Sequence, residues 1–317
     1  MDTAEWYNTF AAMEARGQSA TYEMLAGRIA DDAELLALIE QLPEPKRQPN
    51  LLFGAVRFLG GPVGDYQAFR AWTVAEWEAV RRTMHARRTQ TNEPGRCAVL
   101  LPVLAGLPQP LALIEAGSSA GLCLYPDRYR YRYDDRPVIG ADGSPVELEC
   151  RTDGPVPVPR GMPSVVWRAG VDLNPLDVRS AEDVRWLESL VWPEQEERFR
   201  RLRGAVSVAR AAEPARLVRG DLNEVVGGLI AQVPAGATPV VFHSSVLAYV
   251  PLEERKALAD KVRDCRWISN EPVGVLPFVD GRLPRPAPRD RLVCVLALDG
   301  RPLAFTGPHG QFLDWFA

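Results

Sequence analysis

Leu111-Ala-Leu-Ile-Glu115-Ala-Gly117-Ser-Ser-Ala-Gly121-Leu122 is an apolar run closed by an acid and two glycines. Its four or five apolar residues predict a buried strand, and the glycines let the backbone turn tightly and approach a ligand. The small and apolar residues that follow suit the start of a helix, whose first amides would face that ligand. Strand-glycine-helix junctions also occur where nothing binds, so the flanking sequence has to decide.

Downstream, Tyr129, Tyr131 and Tyr133 alternate with Arg128, Arg130 and Arg132, and Ala141-Asp-Gly-Ser supplies a turn signal. Period-two alternation with an Asp-Gly turn predicts a β-hairpin insertion near 125–163. Its tyrosines would stack bases or pack on the core, and packing is the simpler reading. Val165–Asp172 and Ala215–Asp221 then read as strands ending in acids, and Thr238–Ser245 as a strand ending in polar residues. A helix over Leu252–Val262 and a strand over Cys265–Asn270 follow, and Arg291–Leu298 with Pro302–Thr306 predicts a closing antiparallel hairpin. Alternating strands and helices with right-handed crossovers make the earlier strands parallel.

An open parallel sheet delivers its strand ends to one edge, where ligands bind. Gly117, Gly121, Asp172, Asp221, His243 and Ser244 therefore belong together. Carboxylates suit a ribose diol or an adenine amine, because each oxygen accepts hydrogens. Asp221 has a second reading, since Gly-Asp-Leu is also a helix cap. His243 and Tyr249 follow the fourth strand; either would face a substrate or serve as a core histidine and a packing tyrosine.

Upstream, apolar residues from Glu5 to Met84 recur at helical spacing. Asn50 is placed to cap the helix holding Leu51 to Phe58, and Thr73 with Glu76 forms a capping pattern for a helix over Val74–Ala86. A polar block, Arg87 to Cys97, precedes the first strand. Within it Gln90, Asn92 and Glu93 would fold over the glycine turn as substrate grips and a base, or form a helix-end network with Arg96.

With 317 residues, 46% of them apolar, the chain can bury a sizeable core, and its net charge of −4 offers no field for a polyanion. Neither nucleic acid nor membrane is an expected partner, and the location read from the sequence is cytoplasmic. Arg198 to Arg203 follow Glu194 to Glu197 at pairing distance, which predicts a solvated helix face. Five cysteines without a CxxC pair argue for buried thiols rather than disulfides or zinc. His85, His243 and His309 lack ligand spacing, so no metal is expected. Ser244-Ser245 lacks the Gly-x-Ser-x-Gly elbow of hydrolases. His309 follows a strand expected to run antiparallel, which would leave it away from the ligand edge.

From Leu111 to Ala317 this strand order, with its terminal acids and closing hairpin, resembles the class I S-adenosylmethionine-dependent methyltransferases. The resemblance implies that Glu115 and Gly117 lie by the methionine part, Asp172 by the ribose and Asp221 by the adenine. Ser118, Gly121, Asn174, Leu222 and Ser244 complete the cofactor set. Gln90, Asn92 and Tyr133 would contact substrate, and Glu93, Tyr249 and His243 would act in catalysis. Two departures stand out: Ser119 replaces the usual middle glycine, and Asp172 lies 55 residues after Gly117 instead of about 20, a gap the insertion accounts for.

The whole chain also resembles an uncharacterised bacterial family, the domain of unknown function DUF 2332. The segments that carry the likeness are Arg88-Thr-Gln-Thr-Asn-Glu93 with Arg96, Glu115 to Leu122 with Asp127-Arg-Tyr129, Val171 to Leu176, and Phe242 to Tyr249. The expected architecture is α/β: a helical N-terminal cap over 1–108, and a Rossmann-like, mostly parallel sheet over 109–317 with the insertion and a terminal antiparallel hairpin. The expected activity is methyl transfer from S-adenosylmethionine to a small molecule. A NAD(P)-dependent oxidoreductase and a non-catalytic metabolite-binding module on the same fold are the rivals.

Overall fold

The computed structural model describes residues 2–90, 92–289 and 291–317, which divide into two compact units, Met1–Thr91 with Arg179–Arg200, and Asn92–Val178 with Arg201–Ala317. The first unit is helical: α1 Thr3–Thr9, α2 Ala20–Ala30, α3 Ala33–Ile39, α4 Pro49–Phe58, α5 Tyr66–Ala75 and α6 Trp77–Ala86. After α7 Cys97–Gly106 in the second unit, α8 Ala181–Leu190 returns to the first, and the division falls inside α9 Glu196–Ala211.

Ser19, Asp32 and Asp65 cap α2, α3 and α5 by accepting backbone amides of the first turn. Two expected starts differ. Pro49, whose fixed φ suits a first turn, opens α4, and Asn50 instead accepts from the Trp192 indole at 2.9 Å. Thr73 is buried inside α5, and the next helix begins after Glu76. The core of this unit is aromatic, with Tyr22 and Phe53 4.5 Å apart and Tyr7, Phe10 and Phe69 around them.

The second unit is built on one mixed, mostly parallel sheet. Its strands are β1 Leu111–Ala116, β2 Arg130–Tyr133, β3 Ile139–Gly140, β4 Glu147–Asp153, β5 Val165–Asp172, β6 Arg216–Arg219, β7 Thr238–Ser244, β8 Arg266–Pro272, β9 Cys294–Leu298, β10 Arg301–Thr306 and β11 Phe312–Trp315. They lie in the order β3-β2-β4-β11-β10-β9-β8-β7-β1-β5-β6. The stretch β6-β5-β1-β7-β8 is parallel throughout. Helix α10 Leu222–Ile230 packs on β1, β5 and α11 Leu252–Lys261. That layer buries Ile114, Ala116, Val171, Val226, Leu229, Val241 and Leu258 in one core. A short α12, Pro277–Asp280, precedes the antiparallel β9 and β10.

Three expectations change. No α-helix follows β1: Gly121 leads into 3-10 turns at Leu122–Leu124 and Pro126–Arg128. The insertion does not stand apart as one hairpin; β2 pairs antiparallel with β3 but parallel with β4, and β4 joins β11. The Asp142-Gly143 turn therefore links β3 to β4. The closing hairpin is β9 and β10, and β11 adds a further antiparallel strand that the sequence reading omitted.

The tyrosine face does pack inward. Tyr129, Tyr131 and Tyr133 are buried and donate their hydroxyls to the carbonyls of Leu122, Pro126 and Ala98 at 2.6, 2.5 and 2.6 Å. Arg130 and Arg132 on the other face pair with Glu147. Among the described residues, no helix is long and apolar enough to cross a membrane.

Arg168 of β5 holds this connection to the sheet, donating to both Asp127 oxygens at 2.6 Å and to the Leu124 carbonyl at 2.9 Å. Removing one member of such a nearly buried pair strands the other charge. Arg168→Met is expected to cost about 3–5 kcal/mol in denaturant unfolding, and the double variant with Asp127→Leu to recover part of that loss.

Candidate functional site

The turn after β1 is held on two sides. Gly117 and Gly121 take left-handed φ values of 76° and 71°, which glycine adopts without a Cβ clash. Ser119, where the expected motif has glycine, is also left-handed at 49°. Asp172, at the end of β5, holds it there: its Oδ2 accepts the Ser119 amide at 2.8 Å while Oδ1 accepts the Asn174 amide at 2.7 Å. From the other side Asn92 donates to the Ser118 carbonyl at 3.3 Å and accepts the Leu122 amide at 3.1 Å. A side chain on Gly117 would meet Val246 at 2.3 Å, so the loop after β7 lies directly against the turn.

Glu115 is buried in this setting. Its Oε2 has no hydrogen-bond partner among the described residues, and neither do the Ser118 and Ser119 hydroxyls. Burial pushes the Glu115 carboxyl well above the usual carboxylate range; the Cys123 thiol and Asp172 add to this, and the Arg96 guanidinium opposes it. A hydrogen bond with the neighbouring Cys97 thiol, with burial second, raises Cys123. All five cysteines are free thiols and buried.

Glu93 sits beside the turn as a structural acid. It is 1% exposed, and its Oε1 accepts the Gly95 amide at 2.9 Å and Arg201 Nε at 2.7 Å. Its carbonyl accepts the Cys123 thiol at 3.4 Å. Arg201 thus departs from the solvated face expected of its segment. Arg96 is buried and donates to the Ser244 carbonyl at 2.8 Å and to the Pro308 carbonyl at 3.0 Å. The Pro308 contact corrects the placement of His309. Since β9 is antiparallel to β8 and β10 antiparallel to β9, β10 runs in the direction of β8 and its end joins the same edge. Added side chains on Gly95 or Gly310 would meet His309 O at 2.4 Å or Gly95 O at 2.0 Å, so backbone touches backbone there.

His243 is enclosed. The Trp267 indole donates to its Nε2 at 3.0 Å, which places the ring proton on Nδ1, 2.7 Å from Glu271 Oε1. Both nitrogens are thereby committed within the core, and His243 has no exposed atom for a substrate. The Glu271 carboxylate also accepts the Val246 amide at 3.1 and 3.2 Å. Ser244 Oγ accepts from Asn270, whose own oxygen accepts from Thr306 at 2.6 Å. Sequence reasoning passed over Asn270, Glu271 and Thr306, although a run of polar residues closing an apolar strand, the signal that found Asp172, was present.

The remaining candidates stand in different settings. Asp221 caps α10 through the Asn223 amide, and Leu222 packs in the core. Asn174 accepts from Arg219 at 3.1 Å. Tyr249 is 85% exposed. Tyr133 is held on Ala98, and Gln90 belongs to the first unit. The turn thus gathers Asn92, Glu115, Gly117, Ser118, Gly121 and Asp172, with Glu93 and Ser244 supporting it. Among the described residues no group of three His, Cys, Asp or Glu side chains is arranged to hold a metal ion.

Glu115 gives a stability test. Its raised carboxyl keeps a proton that the unfolded chain releases, so each step in pH above the ordinary value near 4.3 favours unfolding until the raised value is passed. Relative to Glu115→Gln, the native protein is expected to lose stability as pH rises above about 5, by up to about 1.4 kcal/mol per pH unit. Denaturant melts across that range check it, and parallel curves would rule it out.

No curated protein and no solved structure matches the chain. The model of one family, described as an uncharacterized protein conserved in bacteria (DUF2332), matches residues 4–315, and the chain belongs to that family.

Proposed function

We propose that the edge formed by β1, β5 and β7 binds S-adenosylmethionine and that the protein transfers its methyl group to a small molecule. The observation that carries this reading is the set of orphaned atoms on the turn, Glu115 Oε2 and the Ser118 and Ser119 hydroxyls. A buried polar atom left without a partner costs about 1–3 kcal/mol, which a ligand's own polar groups offset. A cation suits Glu115 in particular, because a carboxyl kept protonated by burial ionises when positive charge arrives. Strand order supports the same place: β6-β5-β1-β7-β8 reverses at β1 in the Rossmann-like manner, and doubly wound sheets bind ligands at that reversal.

Held there by Glu115, Ser118 and Ser119, S-adenosylmethionine would supply an electrophilic methyl to an acceptor's lone pair, its sulfonium leaving as a thioether. The acceptor's proton passes to water, since Glu93 is held on Gly95 and Arg201 and His243 on Trp267 and Glu271. The residues of the turn then act by positioning, a large term in displacement reactions. A second reading, a sensing module without turnover, is favoured by that same engagement of both candidate bases.

Calorimetric titration is expected to give micromolar binding of S-adenosylmethionine and S-adenosylhomocysteine and none of NAD. Asp172→Ala should weaken binding by about 1.5–3 kcal/mol, the range for bonds to charged groups. Binding of S-adenosylmethionine should tighten as pH rises and release a proton, and Glu115→Gln should abolish that release. Absence of binding by folded protein ends the cofactor assignment; binding without turnover across an acceptor screen selects the sensing module.

A further inference from the structure

The chain leaves β7 through a kink that two residues of β8 hold. Ser244 ends the ladder opposite Asn270, and Ser245 then takes a left-handed φ of 54°, which costs energy for a residue with a side chain. Its amide donates to the Asn270 carbonyl at 3.0 Å, and the next amide, that of Val246, donates to the Glu271 carboxylate at 3.1 and 3.2 Å. Two consecutive amides are thus pinned on two consecutive residues of the neighbouring strand. The kink brings the Val246 side chain back against β1, where a Cβ on Gly117 would meet its methyl at 2.3 Å.

Glu271 is buried and faces two donors. The Trp267 indole donates to His243 Nε2 at 3.0 Å and so places the ring proton on Nδ1, which donates to Glu271 Oε1 at 2.7 Å. The Val246 amide is the second donor. A carboxylate only accepts, so it satisfies both. A side-chain amide of the same shape fails in either orientation. With its oxygen on His243, its NH2 faces the Val246 amide. With its oxygen on Val246, its NH2 faces His243, and the imidazole, now carrying its proton on Nε2, meets the indole donor.

We infer that Glu271 is a positioning residue for the ligand edge and acts through Val246: the chain of contacts from Trp267 through His243 to Glu271 sets the loop after β7 against the glycine turn before any ligand arrives. That turn carries Glu115, Ser118 and Ser119, whose buried polar atoms have no partner among the described residues. Such atoms favour a ligand most when water does not already satisfy them, and a wall fixed in advance costs no ordering on binding. The effect on affinity rests on the S-adenosylmethionine reading, but the placement of Val246 is tested apart from it.

The test is hydrogen exchange in the whole protein, read beside titration with S-adenosylhomocysteine. Glu271→Gln should speed exchange of the amides of Gly117, Ser118, Ser119, Ser245 and Val246 by about tenfold or more, the scale of a buried donor left without its acceptor. Kd for S-adenosylhomocysteine should rise with it. Adding Trp267→Phe removes the indole donor, lets His243 carry its proton on Nε2, and allows the introduced amide to accept from Val246 while donating to His243. Exchange and affinity should then recover most of the loss, whereas a merely structural defect would deepen when a second side chain leaves the same core. Val246→Ala keeps every buried polar group and reads the contact itself should either of the other variants unfold; exchange at the turn should quicken. Turn exchange unchanged in Glu271→Gln or Val246→Ala, or not recovered in a folded double variant, overturns the inference. So does S-adenosylhomocysteine affinity unchanged in a variant whose turn exchange has quickened. The expected exchange pattern in protein that binds no S-adenosylhomocysteine supports the placement of Val246 and removes the cofactor reading alone.

Discussion

The carboxylate of Asp172 fixes the conformation on which this edge depends. It accepts the amide of Ser119, a residue with a side chain in a backbone region that disfavours one, and so stabilises a left-handed turn without glycine at that position. The same acid accepts the Asn174 amide, so the turn after β1 and the exit from β5 share one anchor. Asn92 completes the arrangement from the opposite flank by meeting the Ser118 carbonyl and the Leu122 amide. No α-helix follows Gly121, and the Ser119 and Leu122 amides are satisfied by these two side chains.

Around that turn lie two kinds of buried polar groups. Those of one kind are matched: His243 between Trp267 and Glu271, and Asn270 between Ser244 and Thr306. They specify the packing of β7, β8 and β10, since a half-matched network would be worse than an apolar core. The other kind, Glu115 with Ser118 and Ser119, is left unmatched. The contrast within one edge sets residues that hold the fold apart from residues whose buried polar atoms have no partner among the described residues.

The strands of the parallel stretch were legible in the sequence because each is a short apolar run ending in polar residues, and such runs read the same whatever surrounds them. Asp172 and Asn92 stood out for the same reason, as polar groups where strands and helices end. The missing helix after Gly121 was not legible, because small and apolar residues suit a 3-10 turn as well as a helix start, and only the distant Asn92 and Asp172 decide between them. Arg201 read as one more charge on an amphipathic helix, since its partner Glu93 lies 108 residues away. The direction of β10 was misjudged through its relation to β8: two successive reversals restore the original direction, and a local pattern carries no count of reversals.

That direction has a consequence for how the chain assembles. Arg96 and Pro308 are separated by 212 residues, yet the contact of Gly95 with Gly310 admits no side chain on either. During synthesis the segment around Arg96 emerges long before the one that will cover it. Loop closure over such a span is slow relative to local pairing. The flank beside the glycine turn is therefore completed only when the segment around Pro308 has been made and docked.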